Sequence, residues 1–233
     1  SGHNWNLKNK HQQREARGIF KNMSPYKGFW SGSAEKKNKG SGMGFLIRST
    51  IEKHVGKIEH INEYLLVVYL YFKKCSLMII NTYIPQTEKD AVKIIINTIQ
   101  DRIKKHSNAF HIIVLGDLNH ILKERDFKDI YRELNSEKKE YTWNNSHTFT
   151  RIDQILLDSK LRRMCIVASI EKMDSITGSN HDLALVVLRK QKDPNSATST
   201  FGQFSKADKK SNRTKWCLDQ ASKENWKDYQ NLL

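Results

Sequence analysis

Two long runs of strand-forming residues, one directly after the other, constrain the fold of this chain more than any other feature. Residues 64–72 and 75–83 are rich in β-branched and aromatic side chains, and only Lys73 and Lys74 separate them. Such a pair predicts a β-hairpin, which Pro85 ends because proline cannot donate a ladder hydrogen bond. The first run, nine residues long, is also the longest unbroken apolar run. Since a membrane-spanning helix needs roughly 18 apolar residues, the sequence predicts none.

The periodicity on both sides of this hairpin predicts an α/β chain. A helix is expected to begin with Thr87 as its N-cap, because apolar residues then recur at three- and four-residue spacing, at Val92, Ile95, Ile96, Ile99 and Ile103. A weaker helix is expected over about residues 122–135. Further strands are expected near residues 45–47, 111–116, 141–143, 151–157, 164–170 and 183–189. With only two helices among so many strands, the sheet should be mostly antiparallel or mixed rather than a regular βαβ repeat.

The composition indicates a soluble, folded chain whose positive charge is concentrated towards both ends. The 233 residues are 38% hydrophobic and 28% charged, with a formal net charge of +15. Residues 1–60 carry 12 Lys or Arg against 4 Asp or Glu, and residues 189–233 carry 10 against 5, whereas residues 61–188 carry 18 against 16. Basic flanks favour a nucleic-acid partner, because Lys and Arg release the counterions condensed on phosphates. The alternative is a solvated surface that keeps the protein soluble.

Composition also predicts the domain organisation and the compartment. We expect a folded domain over residues 1–190, a polar basic linker over 191–215 and a short C-terminal helix over 216–233. The three cysteines are too far apart for a disulfide framework or a zinc knuckle, which favours a reducing compartment. No apolar signal segment opens the sequence, so we expect an intracellular protein of the nucleus or cytoplasm, neither secreted nor membrane-bound.

Residues 115–119 form the motif with the clearest chemical content. Asp117 and Asn119 are two residues apart and follow the apolar strand predicted at residues 111–116, so both should point to the same side, just past the strand end. A carboxylate there could align a water or a metal, and an amide could donate to a phosphoryl oxygen. An ordinary turn is the alternative, since Gly-Asp and Asn are also frequent turn residues.

Three further motifs allow a structural as well as a functional interpretation. Asp153 lies among apolar strand residues, which fits either a charged site or the exposed face of an amphipathic strand. His181, in the Ser-Asn-His-Asp motif that opens an apolar run, is a candidate general base, although a lone histidine is more often structural. Tyr83 ends a strand at the turn that Pro85 forces, and a simple aromatic plug is the alternative.

Taken in order, these motifs resemble those of the endonuclease/exonuclease/phosphatase superfamily, which has the DNase I-like fold. They are NTYIP at residues 81–85, LGDLN at 115–119, YTW at 141–143, RIDQIL at 151–156 and SNH at 179–181. The YTW and RIDQIL motifs most resemble the endonuclease domains of LINE-type retrotransposons. The resemblance extends over about residues 75–188. It implies a two-sheet α/β sandwich whose first strand region is missing here, DNA as the substrate, and a reverse-transcriptase region following in a longer parent protein.

The resemblance also implies a role for each matching residue. His181 is expected to activate water for in-line attack on a phosphodiester, and Asp153 to hold the histidine ring in the required tautomer. Asp117 and Asn119 are expected to align the nucleophile and stabilise charge on the phosphate, to which Tyr83 donates a hydrogen bond. Residues implied to contact the substrate phosphate or DNA are Asn119, Tyr83, Arg151, Asn145 and Trp143.

The metal-binding positions depart from the pattern of the family. The resemblance implies Mg²⁺ or Mn²⁺, with Asp117 and Asn180 as ligands. The main metal ligand of the family is a Glu early in the chain, and no residue before Tyr83 matches it. The family motif Ser-Asp-His reads Ser-Asn-His here, so Asn180 replaces a carboxylate. A weakly active or inactive nuclease is therefore expected, with a non-catalytic nucleic-acid-binding module or a phosphatase or phospholipase of the same superfamily as alternatives.

Overall fold

The computed structural model describes residues 25–31, 43–73, 75–118, 127–145, 147–173 and 179–189. Several predictions lie outside these residues and stay predictions. They concern Asn119, the linker over 191–215, the C-terminal helix over 216–233 and much of the two basic flanks.

The predicted hairpin forms the middle of a six-stranded mixed sheet. The strands of this sheet are β3 (Val55–Asn62), β4 (Leu65–Tyr71), β5 (Ser76–Ile84), β6 (His111–Leu118), β7 (Lys128–Asp129) and β10 (Asp153–Leu157). Their order is β3-β4-β5-β6-β10-β7, and β5–β6 is the one parallel pair of this sheet. Strand β4 is buried along almost its whole length, as expected of an apolar strand in the interior of a sheet. The mixed sheet is thereby confirmed.

A long helix covers one face of this sheet and connects the two parallel strands. The helical segments in the described residues are α1 (Ser49–Glu52), α2 (Lys89–His106), α3 (Ile130–Leu134) and α4 (Ser159–Arg162). The long helix, α2, buries Ile95, Ile99 and Ile103 against the sheet, on the face that the apolar spacing predicted. The predicted weaker helix is observed only as α3, while residues 119–126 lie outside the described part.

The prediction that Thr87 caps α2 is wrong. The helix begins at Lys89, and Glu88 occupies the N-cap position without a side-chain capping bond. The chain is still turning at Thr87, because its carbonyl oxygen accepts a hydrogen bond from the Lys89 nitrogen at 3.2 Å. A Ser or Thr near a helix start therefore marked the beginning of this helix to within two residues.

Two small antiparallel sheets cover the opposite face of the six-stranded sheet. One contains β1 (Tyr26–Ser31) and β2 (Met43–Arg48), and the other contains β11 (Cys165–Glu171) and β12 (Leu183–Leu188). Their apolar side chains pack with α3 and α4 into a second core on the central sheet. A short hairpin, β8 (Trp143–Asn144) with β9 (Phe149–Thr150), replaces the strand predicted at 141–143. The layered α/β architecture is confirmed. Within the described residues, no helix has both the length and the apolarity to cross a membrane.

Candidate active site

The register of the central sheet places three of the predicted residues side by side. Asp117 on β6 lies opposite Tyr83 on β5 and opposite Asp153 on β10. Residues directly opposite one another point to the same face of a sheet. That face is the one covered by the two small sheets. Asp117 follows Ile113 and Leu115 of the second core at two-residue spacing, so all three side chains point to the same face. Asp117 therefore lies within strand β6, and the prediction that it follows the strand end is wrong.

Gly116 lets strands β5 and β6 approach closely beside Asp117. Its φ is 131°, a value that L side chains rarely adopt, and a Cβ atom there would lie 1.9 Å from the Thr82 carbonyl oxygen. The Asn81 side chain donates to the Gly44 carbonyl oxygen at 2.9 Å, which connects β5 to β2 near the same point. The glycine in the Leu-Gly-Asp-Leu-Asn motif is therefore required by the conformation of the backbone.

His181 reaches this group of residues from the start of β12. Its Nδ1 atom lies 3.0 Å from Oδ2 of Asp153. Its backbone nitrogen donates to Ser179 Oγ at 3.0 Å. The residue also forms an isolated antiparallel β-bridge with Trp143. A carboxylate can only accept, so the Nδ1–H tautomer is favoured and the lone pair is on Nε2. The ring thus has the orientation that a general base requires.

Thr142 is a component of the site to which sequence analysis gave no role. Its side chain is fully buried, and Oγ1 accepts hydrogen bonds from the backbone nitrogens of Ile152 at 3.2 Å and Asp153 at 3.0 Å. Its carbonyl oxygen accepts from the Asp182 nitrogen at 2.7 Å. The residue therefore connects the segment bearing Asp153 to the segment bearing His181. The available signal was the polar residue between two aromatic residues in the YTW motif.

The electrostatics of the site follow from two acids and a histidine in a partly buried corner. Burial, followed by the nearby charge of Asp153, raises the pKa of Asp117 to about 6, although His181 acts in the opposite direction. The hydrogen bond to Asp153 raises the pKa of His181 above its ordinary value, against the effect of burial. Burial, and then the charge of Asp117, raises the pKa of Tyr83, so its hydroxyl stays protonated at neutral pH.

Arg151 and Asn145 lie in surroundings that differ from those expected of DNA contacts. The Arg151 side chain is only 8% exposed, forms an ion pair with Asp129 and lies 5.6 Å above the ring of Tyr131. Asn145 Oδ1 accepts from two backbone N–H groups of its own turn, at 3.2 Å and 2.7 Å. Both side chains are thus engaged within the protein. Trp143 is half-buried beside His181.

The described residues do not complete a site for a divalent cation. No group of three His, Cys, Asp or Glu side chains that could hold a metal occurs among them. Of the two predicted ligands, Asp117 lies in the site, whereas Asn180 is exposed and supplies no charge. The second carboxylate, Asp153, is already bonded to the His181 ring. Mg²⁺ prefers several oxygen ligands, so these residues alone do not form a site that fits it.

Comparison with known proteins shows the fold. Neither a protein-family model nor a curated protein matches the sequence. The apurinic/apyrimidinic endonuclease LMAP from Leishmania major matches with a TM-score of 0.60 and 15% identity, over 72% of each chain. The 3′-5′ exonuclease NExo from Neisseria meningitidis matches with a TM-score of 0.58 and 12% identity, over 75% of this chain and 83% of that one. An apurinic/apyrimidinic endonuclease from Archaeoglobus fulgidus matches with a TM-score of 0.54 and 13% identity, over 72% and 80%. The chain therefore has the DNase I-like fold that these nucleases share.

Proposed function

We propose that this chain is a phosphodiester hydrolase that acts on DNA, with His181 as its general base. One observation carries the proposal: the His181 ring lies 3.0 Å from Asp153, and the sheet register places Asp117 opposite that same aspartate. Residues from three separate segments thus bring a histidine and two acids together, with Asp153 between the other two, and such a cluster is expected where hydrolysis takes place. In support of DNA, one similar structure (TM-score 0.57, 14% identity) is the 3′ phosphatase NExo from Neisseria bound to a product DNA hairpin.

The chemistry assigned to these residues is attack of water on phosphorus. Nε2 of His181 accepts a proton from the water as the water oxygen forms the new bond to phosphorus. The P–O bond on the opposite side breaks, and the leaving ester oxygen keeps the electron pair and takes a proton from solvent. The Asp153 carboxylate stabilises the imidazolium that forms. The Tyr83 hydroxyl donates to a phosphoryl oxygen, and Asp117 accepts a hydrogen bond from the attacking water, which orients it.

The remaining substrate contacts are proposed from the resemblance. Asn119 and Trp143 stay proposed contacts with phosphate or DNA. Arg151 and Asn145 are engaged within the protein, so we propose that their main roles are structural. A requirement for Mg²⁺ or Mn²⁺, with Asp117 and Asn180 as ligands, rests on the resemblance alone. So do the LINE-type retrotransposon context, a following reverse-transcriptase region and a location in the nucleus or cytoplasm.

A panel of substrates tests the proposal against the two alternatives. The chain is incubated with supercoiled plasmid in Mg²⁺ or Mn²⁺, with inositol phosphates and with sphingomyelin, and DNA binding is measured between 50 and 200 mM salt. We expect weak plasmid nicking without phosphate release. Salt-sensitive DNA binding without nicking in either metal would favour a non-catalytic binding module, for which the incomplete metal site is the supporting observation. Phosphate release or lipid cleavage without nicking would favour a phosphatase or phospholipase.

A further inference from the structure

The residue that follows His181 is a buried carboxylate with no part in the chemistry above. The Asp182 side chain is only 5% exposed. Its Oδ1 accepts a hydrogen bond from the Met173 nitrogen at 3.1 Å, and its Oδ2 accepts from Lys172 Nζ at 2.6 Å. Both donors follow directly after strand β11, which ends at Glu171. Asp182 therefore joins the start of β12 to the end of its partner strand, next to His181.

The backbone of Asp182 is held from a second direction. Its nitrogen donates to the Thr142 carbonyl oxygen at 2.7 Å, and Thr142 Oγ1 accepts from the Asp153 nitrogen at 3.0 Å. The segments that bear His181 and Asp153 are thus both hydrogen-bonded to Thr142. The distance between the His181 ring and the Asp153 carboxylate depends on both segments keeping their places relative to Thr142.

The two side-chain bonds of Asp182 differ in what they contribute. A buried carboxylate is costly unless it is fully bonded, and a bond from a backbone N–H to a carboxylate is among the stronger ones. The Lys172 side chain is 71% exposed, so its ion pair is screened by solvent and contributes little. The bond from the Met173 nitrogen is therefore the contact that fixes the side chain of Asp182.

We propose that Asp182 is a positioning residue, which holds the His181 ring in place against Asp153 by fixing the start of β12 to the end of β11. The kinetic consequence rests on the function proposed above, whereas the orientation of the ring does not. The general reason for an effect on rate is that a displacement of about 1 Å in a reacting group can cost about 100-fold.

Four variants test this proposal: Asp182→Ala, Asp182→Asn, Lys172→Ala and the matched control Asp158→Ala. Asp158 is also a largely buried carboxylate that accepts from a strand nitrogen, that of Ile112 at 2.7 Å, and it caps α4. It lies beside the start of β6, at the opposite end of that strand from Asp117. Plasmid nicking gives kcat and KM. Long-range proton–nitrogen spectra give the tautomer of His181, whose signals among the nine histidines are identified by their loss in His181→Ala.

We expect Asp182→Ala to lower kcat about 10- to 100-fold with KM within about twofold of wild type, and to lose the Nδ1–H tautomer signal. Asp182→Asn keeps an acceptor for the Met173 nitrogen. Its kcat should be within a few-fold of wild type, and its Nδ1–H tautomer signal should be present. Lys172→Ala should resemble wild type. Asp158→Ala should be less stable than wild type but should keep its kcat and its histidine spectrum.

The contrary outcomes are distinct. A folded Asp182→Ala with wild-type kcat and ring-nitrogen signals would overturn the proposal, as would an equal loss in Asp158→Ala. Where Asp182→Ala does not fold, Asp182→Glu takes its place, because the extra methylene displaces the carboxylate, and the same loss is expected. Absence of cleavage by the wild-type chain counts against the proposed function only, since the histidine spectra still decide whether Asp182 positions the ring.

Discussion

His181 and Asp153 show how one contact sets the chemistry of a residue. Histidine titrates near neutral pH, so a neighbouring carboxylate decides both which ring nitrogen carries the proton and at what pH the ring is charged. Here the 3.0 Å bond to Asp153 favours Nδ1–H and raises the pKa of His181. Sequence analysis named both residues, but only the fold shows that they touch.

The proposed hydrolysis should have a pH dependence that follows from this contact. A general base must be neutral, so the rate should fall as the pH drops through a value above 6.5, the ordinary pKa of histidine. Asp153→Asn removes the hydrogen-bonded carboxylate that contributes most to raising this pKa, and should therefore move the acid limb to lower pH. The maximal rate should also fall, by about 10²- to 10⁴-fold. Single-turnover nicking between pH 5.5 and 9 measures both effects. An acid limb in Asp153→Asn at the wild-type pH, or above it, would contradict the account.

Ionised Asp117 destabilises the folded chain because it is partly buried, so an uncharged residue there should raise the stability. Its pKa in the folded protein is about 6, against an ordinary value of 3.8. Between pH 3.8 and about pH 6, the Asp117 carboxyl has lost its proton in the unfolded chain but keeps it in the folded chain. The free energy of unfolding therefore falls as the pH rises through this window. Asp117→Asn cannot ionise and should be more stable than wild type at pH 8, by about 1 kcal/mol after allowance for solvent screening.

Thermal unfolding at pH 5 and pH 8 checks this prediction. The difference between Asp117→Asn and wild type should shrink at pH 5, because both chains are then mostly uncharged at this position in the folded state. Nicking by the variant should be strongly reduced at either pH. A wild-type chain that is the more stable at pH 8 would show that Asp117 is not destabilised by burial.

At the scale of strands and helices, local patterns predicted most elements but not how they meet. Two apolar runs predicted the β4–β5 hairpin, and the three- and four-residue spacing predicted the buried face of α2. The register that brings Tyr83, Asp117 and Asp153 together joins strands far apart in sequence, so no local pattern contains it. The interior environment of Arg151 was missed for the same reason, because its partner Asp129 is 22 residues away.

Gly116 is a position where strand β6 should be sensitive to substitution. Gly116→Ala should destabilise the chain by about 1–3 kcal/mol for backbone strain alone, and by more because the new Cβ atom meets the Thr82 carbonyl oxygen. Gly56→Ala is the control. Its Cβ atom would meet only the half-exposed Tyr71 ring, which can turn away into solvent. Urea unfolding compares the two variants. Equal losses of stability would show that the close approach of β5 and β6 does not depend on this glycine.

At the scale of the whole molecule, the site lies where the two layers meet. The central sheet contributes Tyr83, Asp117 and Asp153 on the face that the small sheets cover, and the start of β12 contributes His181 from the opposite layer. The fold class was predictable because each layer has its own apolar pattern. The completed site was not, because it requires packing of one layer on the other.

The most direct test of the account is single-turnover nicking of a defined DNA duplex by wild type, His181→Ala and His54→Ala. His54 is the matched control, because its Nδ1 atom also lies close to an oxygen, the Tyr71 carbonyl oxygen at 3.1 Å. His54 lies beside the edge strand β3. If His181 is the general base, the rate should be at least about 100-fold lower for His181→Ala and unchanged for His54→Ala. Cleavage by a folded His181→Ala at the wild-type rate would contradict the account.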